Sequence, residues 1–331
     1  MMGLVQRLAN RSLDLLFLPG MGQLWRHRVM GKIHCLLYHR VDEPGRVPFL
    51  DRFGTAPISP RNLMEELVFL KMNGARFFTF YDLRRGQFPA RDEFGVIVCF
   101  DDGLRCNYSS ALGVLERLNI RGVIFQSTAL IDAPTLIWEH CLYWHGAHPR
   151  RAELLRELAH RRLPSSRTYS GDALVAHLRD AEPMAAVEAL LAELNETSGS
   201  AEVLADLARS LYPSSNYLRA AWREYHEIGS HGHHHYPRSG LDAAGFEQEL
   251  IRSQQELAAI LGRRPKAFSY PFNSHLPGDE AICGRYYDQV GTVDPRPITT
   301  STPPLEMPRC TWPGPHRNHL QMRRWLWTGH I

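Results

Sequence analysis

The sequence predicts an α/β fold on three observations. Short runs of β-branched and aromatic residues alternate with stretches of helical periodicity. The 331 residues, 44% of them hydrophobic, suffice for a full buried core within the size range of one α/β barrel. No internal repeat or low-complexity tract points to a solenoid or a disordered chain.

Taken in order, residues 13–18 (LDLLFL) follow Arg7 and Arg11 and resemble a short export signal. Asp14 interrupts them, Pro19 and Gly20 end them, and no small-residue cleavage site follows. The expectation is an amphipathic helical segment over residues 1–30, able to pack on the domain or to touch a membrane interface peripherally. Strands are expected at 32–39, 76–80, 95–100, 122–126, 227–230, 267–271 and 290–293. Ser59-Pro60 supplies a cap and a first-turn proline for a helix whose Leu63, Leu67 and Leu70 recur at helical spacing and which Gly74 ends. A second helix runs over about 242–261, with Gly262 as its stop. Residues 150–211 are rich in Ala, Leu, Glu and Arg and lack strand signals. They predict two or three inserted helices, either a substrate lid or a solubilising bundle.

The net charge of +3 and the absence of a basic stripe interleaved with aromatics exclude nucleic acid as the expected partner, although Arg317, Arg323 and Arg324 make the C-terminus locally basic. The six cysteines form no C-x-x-C pair, which argues against a zinc knuckle or a redox motif and fits a reducing compartment. No run is long enough to span a membrane. The expected location is cytoplasmic, with membrane association through the N-terminal helix as the variant.

Three segments carry chemistry. In Val96-Ile97-Val98-Cys99-Phe100-Asp101-Asp102-Gly103 an apolar strand ends in two carboxylates and a glycine. At the C-terminal end of a barrel strand such a pair repels unless a cation binds, and one carboxylate is then left as a base. The alternative is a plain Asp-Gly turn. In Gly229-Ser230-His231-Gly232-His233-His234-His235, His231 and His235 stand four apart, so that on a helical turn both would face one metal. The alternative is a solvated histidine-rich loop. His233 and His234 receive no ligand role. In Phe268-Ser269-Tyr270-Pro271-Phe272-Asn273 a strand ends in a proline flanked by aromatics, a form suited to a pocket wall or to a core strand leaving its sheet.

In this order the segments resemble the polysaccharide deacetylases, metal-dependent carbohydrate esterases that include chitooligosaccharide deacetylases. The likeness runs from about Lys32 to Trp312 and includes Leu37-Tyr38-His39-Arg40-Val41 and Met307-Pro308-Arg309. It implies a distorted seven-stranded (β/α) barrel. The expected division of the chain is that barrel over residues 31–320, interrupted by the helical insertion at about 150–211, and a tail at 321–331. The likeness also implies that Asp102, His231 and His235 bind the metal and that Asp101 is the general base. The backbone N–H of Phe272 would hold the developing oxyanion, with Tyr270 and Pro271 expected at the substrate. His39, at the end of the first strand, is either a substrate contact or a buried, satisfied histidine.

Elementary chemistry agrees with the likeness. Two neutral imidazoles and one carboxylate leave a divalent ion net positive, with an open position for water and carbonyl oxygen. Zinc is the default for this donor set, and cobalt or manganese is compatible. The chain departs from the family in two places. The arginine often found just before the proline of the third segment is replaced by Ser269 and Tyr270, and Arg309 is either its substitute or an ordinary surface residue. The Leu-x-His segment that supplies a general acid is absent, and His316, His319 and His330 do not fit its context. Trp138, Trp144 and Trp312 are candidates for sugar stacking or, each taken alone, for core packing.

The expected function is removal of an N-acetyl group from an amino sugar in a polysaccharide or glycan intermediate, carried on a lipid or a nucleotide. The rivals are a deformylase or other linear amide hydrolase, and a carbohydrate-binding protein without catalysis.

Overall fold

A computed structural model describes residues 27–223 and 225–311. The expectations for the N-terminal helix, the C-terminal tail, Trp312, His316, His319 and His330 lie outside the described residues, apart from positions 27–30 of the first. In chain order the elements are β1 (Ile33–Tyr38), α1 (Pro48–Phe53), α2 (Pro60–Met72), β2 (Ala75–Phe78), α3 (Phe80–Arg84), β3 (Phe94–Phe100), α4 (Leu112–Arg117) and β4 (Val123–Gln126). An inserted helical layer follows: α5 (Trp138–Gly146), α6 (Pro149–Arg162), α7 (Gly171–Asp180), α8 (Met184–Ser198), α9 (Ala201–Leu211) and α10 (Ser215–Arg223). The chain then returns through β5 (Glu227–Ser230), α11 (Ala243–Leu261), β6 (Ala267–Ser269), α12 (Asp279–Cys283), β7 (Gln289–Val293) and β8 (Met307–Thr311).

All strand pairings are parallel, in the order β1-β8-β7-β6-β5-β4-β3-β2, and β1 also pairs with β3. That last ladder closes the sheet into a ring of seven strands. β2 stands outside the ring's count. It pairs with Phe94–Ile97 of β3, whereas β4 pairs with Cys99 and Phe100, so the two share one edge of β3 end to end. The seven-stranded barrel is therefore as expected, but its membership is not. The strand expected at 76–80 is the flanking one, and β8, absent from the expected strands, closes the ring against β1. Pro308 and Arg309 break the apolar run in β8, which hid the strand from a periodicity argument. The proline is tolerated because β8 is short and its neighbours still pair.

Alternation along the strands sorts the core. Ile33, Cys35, Leu37, Ile97, Cys99, Val123, Phe125, Ala267 and Met307 form the barrel interior, and Leu36, Val96, Val98, Phe100, Ile124 and Ile228 face outward onto Leu63, Leu67, Leu115 and Leu257 of the helices. Each fully buried Val, Leu, Ile, Phe or Met among them contributes roughly 1.5–3 kcal/mol. The helix ends follow their local signals. Ser59 Oγ accepts from the Asn62 N–H at 3.1 Å, Asp242 Oδ1 accepts from the Gly245 N–H at 2.7 Å, and Gly262 takes the left-handed conformation that ends α11. Residues 149–211 hold four helices rather than two or three. With α5 they share their own core, built on Leu142, Leu155, Leu178, Leu190, Leu194 and Leu204, which also takes in Leu50 of α1 and Leu104 of the loop after β3. Among the described residues no helix is long and apolar enough to cross a membrane.

Candidate metal and catalytic site

The interior phase of β3 passes through Ile97 and Cys99, so the next inward position is Asp101. On β8 the same phase starts at Met307 and reaches Arg309 next. The two side chains therefore meet inside the barrel. Arg309 Nη1 and Nη2 donate to Asp101 Oδ1 and Oδ2 at 2.6 and 3.0 Å, and both residues are buried, Arg309 to 1% exposure. Arg309 is thus no surface residue. Burial pushes the Asp101 carboxyl up, but Arg309, aided by His231, outweighs it and holds the group below the usual carboxylate range. On the neighbouring strand β7, a Cβ on Gly291 would lie 2.6 Å from Arg309 Nε. Gly291→Ala should push the guanidinium off Asp101 and lower kcat by about tenfold or more, the usual cost of a displaced catalytic group. Unchanged kinetics in this variant would show that the pair tolerates displacement.

After Asp101 the backbone turns sharply: Asp102 has φ 68° and Gly103 φ 77°. Glycine is required at 103, where a Cβ would come within 2.1 Å of Gln126 Oε1. The turn swings the Asp102 carboxylate away from Arg309 and toward the histidines. His231 and His235 do not sit on a helical turn as expected. They lie in an irregular loop after β5, in which Gly232 and His235 take positive φ. The i, i+4 spacing succeeds for another reason, since the loop folds back on itself. Glu249 Oε2 accepts the N–H groups of His233 and His234 at 3.0 and 2.7 Å, and Trp138 Nε1 donates to the His234 carbonyl at 3.0 Å. The His233 and His234 rings are occupied by Thr128 and Glu249, so they brace the loop and leave the metal position to the other two.

Asp102, His231 and His235 each offer one ligand atom, all within 4.8 Å of one another. The Nε2 atoms of His235 and His231 lie 3.3 and 3.6 Å from Asp102 Oδ1. Each ring is aimed from behind through Nδ1. His231 Nδ1 is 2.9 Å from the Ser269 carbonyl, and His235 Nδ1 is 2.6 Å from Glu139 Oε2. Such outer partners fix the tautomer that leaves Nε2 free for a cation. The set fits a divalent ion on one further observation: His235 Nε2 is buried facing Asp102 Oδ1 at 3.3 Å, two acceptors that a cation between them or a proton on the ring would satisfy. Burial carries His231 down to about 4, so its ring is neutral at pH 7. Burial also lowers His235, but Glu139 and Asp102 on either side outweigh it and raise the ring to about 10.

The triad opens into a cleft of about 360 Å³. His39, Tyr270 and Asp101 are among the residues that line it. Phe272 lies at the cleft with φ 56°, its ring 4.7 Å from that of His235. Pro271, expected at the substrate, does not line the cleft; it is buried with its ring turned to Gly232. Trp138 is buried in the helical-layer core, Trp144 stacks on Arg151, and neither lines this cleft. Glu139, His140, Tyr143 and Arg179, all from the helical layer, line the cleft and were missed. The signal for the first two was the run Trp138-Glu139-His140, three functional residue types just ahead of a stretch otherwise dominated by Ala, Leu, Glu and Arg.

The sequence profile of the polysaccharide deacetylase family matches residues 173–278, a span that contains His231, His235 and the Tyr270-Pro271-Phe272 turn but not Asp101 or Asp102. No curated protein matches the sequence significantly. Among solved structures, IcaB from Ammonifex degensii superposes with a TM-score of 0.56 at 17% identity, over 90% of this chain and 97% of that one. The deacetylase PplD from Streptococcus pyogenes gives 0.54 at 14% identity, over 86% and 93%. The polysaccharide deacetylase BC0361 from Bacillus cereus gives 0.53 at 17% identity over 85% of this chain, which spans 65% of the Bacillus protein's length. These likenesses establish the fold. The profile match over the histidine loop adds a likeness in sequence to the polysaccharide deacetylases over about a third of the chain.

Proposed function

We propose that the protein is a metal-dependent hydrolase that removes an N-acetyl group from an amino sugar of a polysaccharide or glycan intermediate. The observation that carries this reading is the convergence of Asp102, His231 and His235 on one point beside a second carboxylate, Asp101, held separately by Arg309. A bound divalent ion, zinc by the donor set, would supply Lewis acidity to the amide carbonyl and lower the pKa of water.

The chain's own residues do the rest. Asp101 Oδ2 points to the histidine side of the site, 3.9 Å from His231 Nε2, and serves as the base for the attacking water. As the new C–O bond forms, the water's proton passes to Asp101. As the C–N bond breaks, Asp101 returns that proton to the departing nitrogen, leaving acetate and a free amine. The Phe272 N–H, His39 and Tyr270 hold the acetamido group, and the helical layer acts as a wall of the substrate cleft rather than as a solubilising appendage. Its support is the presence of Glu139, Tyr143 and Arg179 on that wall.

The test is acetate release from a panel of N-acetylated amino sugars with zinc-loaded protein, run beside Asp101→Asn. The variant should lose about 10²–10⁴ in kcat while its zinc content stays unchanged. A variant as active as the parent removes Asp101 from the base role.

A further inference from the structure

Beside Glu139 on α5 stands His140, a buried residue whose ring lines the cleft and which the mechanism above does not use. Its Nδ1 lies 2.7 Å from the Tyr212 hydroxyl oxygen, which also accepts the Ile137 N–H at 3.0 Å. Hydrogen-bond accounting then places the ring proton. The phenol has one proton to give, and burial holds its pKa well above the ordinary value. The proton is directed at His140 Nδ1, which therefore accepts, and the neutral ring carries its own hydrogen on Nε2, the edge turned away from Tyr212. Burial, against the pull of Glu139 and Asp102, keeps the imidazole below its usual pKa. A neutral imidazole with Nδ1 occupied is a firm hydrogen-bond donor and a poor proton source. It suits an oxygen that gains negative charge, not a nitrogen that must gain a proton.

We propose that His140 is a further catalytic residue, its neutral Nε2–H donating a hydrogen bond to the acetyl carbonyl oxygen as that oxygen becomes negative. Tyr212 is the positioning residue that fixes the tautomer. The inference rests on reading the cleft as an acyl-transfer site.

The test uses zinc-loaded full-length protein with two probes, an N-acetylglucosamine oligomer and 4-nitrophenyl acetate, which shares the carbonyl oxygen but carries no sugar. His140→Phe should lower kcat on both by about 100- to 1,000-fold with KM and zinc content unchanged. His140→Gln, which keeps an N–H, should recover part of the loss, and Tyr212→Phe, which leaves the ring in place, should show a smaller fall of the same kind. The shape of the pH profile should not change. A rise in KM alone, zinc loss in step with activity, disappearance of one limb of the pH profile, or a fully active Tyr212→Phe would each overturn the proposal. Cleavage of the ester but of no acetylated sugar would sink the sugar reading, and the variants would still decide the role of His140 on the ester.

Discussion

Arg309→Met is expected to lower kcat/KM by about two to four orders of magnitude and the unfolding free energy by about 3–5 kcal/mol, the range for removing one partner of a buried ion pair. The guanidinium is sealed inside the barrel, donates to both Asp101 oxygens and lies over the Phe125 ring at 4.9 Å. Without it, burial is the largest influence left on Asp101, and burial raises a carboxyl pKa. The sign of the pH dependence follows. In the parent the depressed carboxyl contributes stability that is present above its unfolded pKa and lost as pH falls through the folded one. In the variant the ionised carboxylate is itself the burden, so the stability deficit should be greatest at neutral and alkaline pH and shrink in acid. The acid limb of kcat/KM should move upward. Denaturant melts at two pH values and a pH–rate profile measure both effects. Parental kinetics in Arg309→Met would mean that Asp101 needs no partner to act.

The part of the site carried by strand phase and by motif was legible from the sequence. A five-residue apolar run fixes the direction of β3, and once it ends in Asp101-Asp102-Gly103 the carboxylates must stand at the barrel mouth. The histidine pair was found for a partly wrong reason: the spacing is that of a helix, but Gly232 and a left-handed His235 bend a loop to the same effect. β8 was hidden because its inward residue is an arginine where a barrel strand ordinarily places an aliphatic side chain, and that irregularity is the functional feature. Glu139 and His140 could not be placed because they reach the site from α5, separated from their partners by up to 96 residues, a distance that no periodicity spans. Composition alone marked the segment that followed them as helical; only the packing of its own core against Leu50 and Leu104 brings it over the barrel mouth.

Metal affinity should rise about tenfold per pH unit between roughly pH 6 and 9, with one proton released for each ion bound. In the cation-free protein His235 is carried to about 10 because its ring lies between Glu139 and Asp102, so at neutral pH Nε2 holds a proton that a metal must displace. His231, lowered to about 4 by burial, needs no deprotonation above that pH and adds a second proton to the competition only in acid. The affinity should therefore level off near pH 10 and fall more steeply below pH 4. Glu139→Gln separates the two effects of the carboxylate. Losing its charge lowers the His235 pKa and flattens the pH dependence, while losing the charged acceptor at Nδ1 weakens the ligand by about 10- to 100-fold. The variant should thus bind zinc distinctly more weakly than the parent at pH 9, where the parent has shed most of its proton, and the gap should narrow toward pH 6. Titration calorimetry in buffers of different ionisation enthalpy reads the proton count directly. A parent that binds zinc with pH-independent affinity and releases no proton would place the cation somewhere other than His235 Nε2.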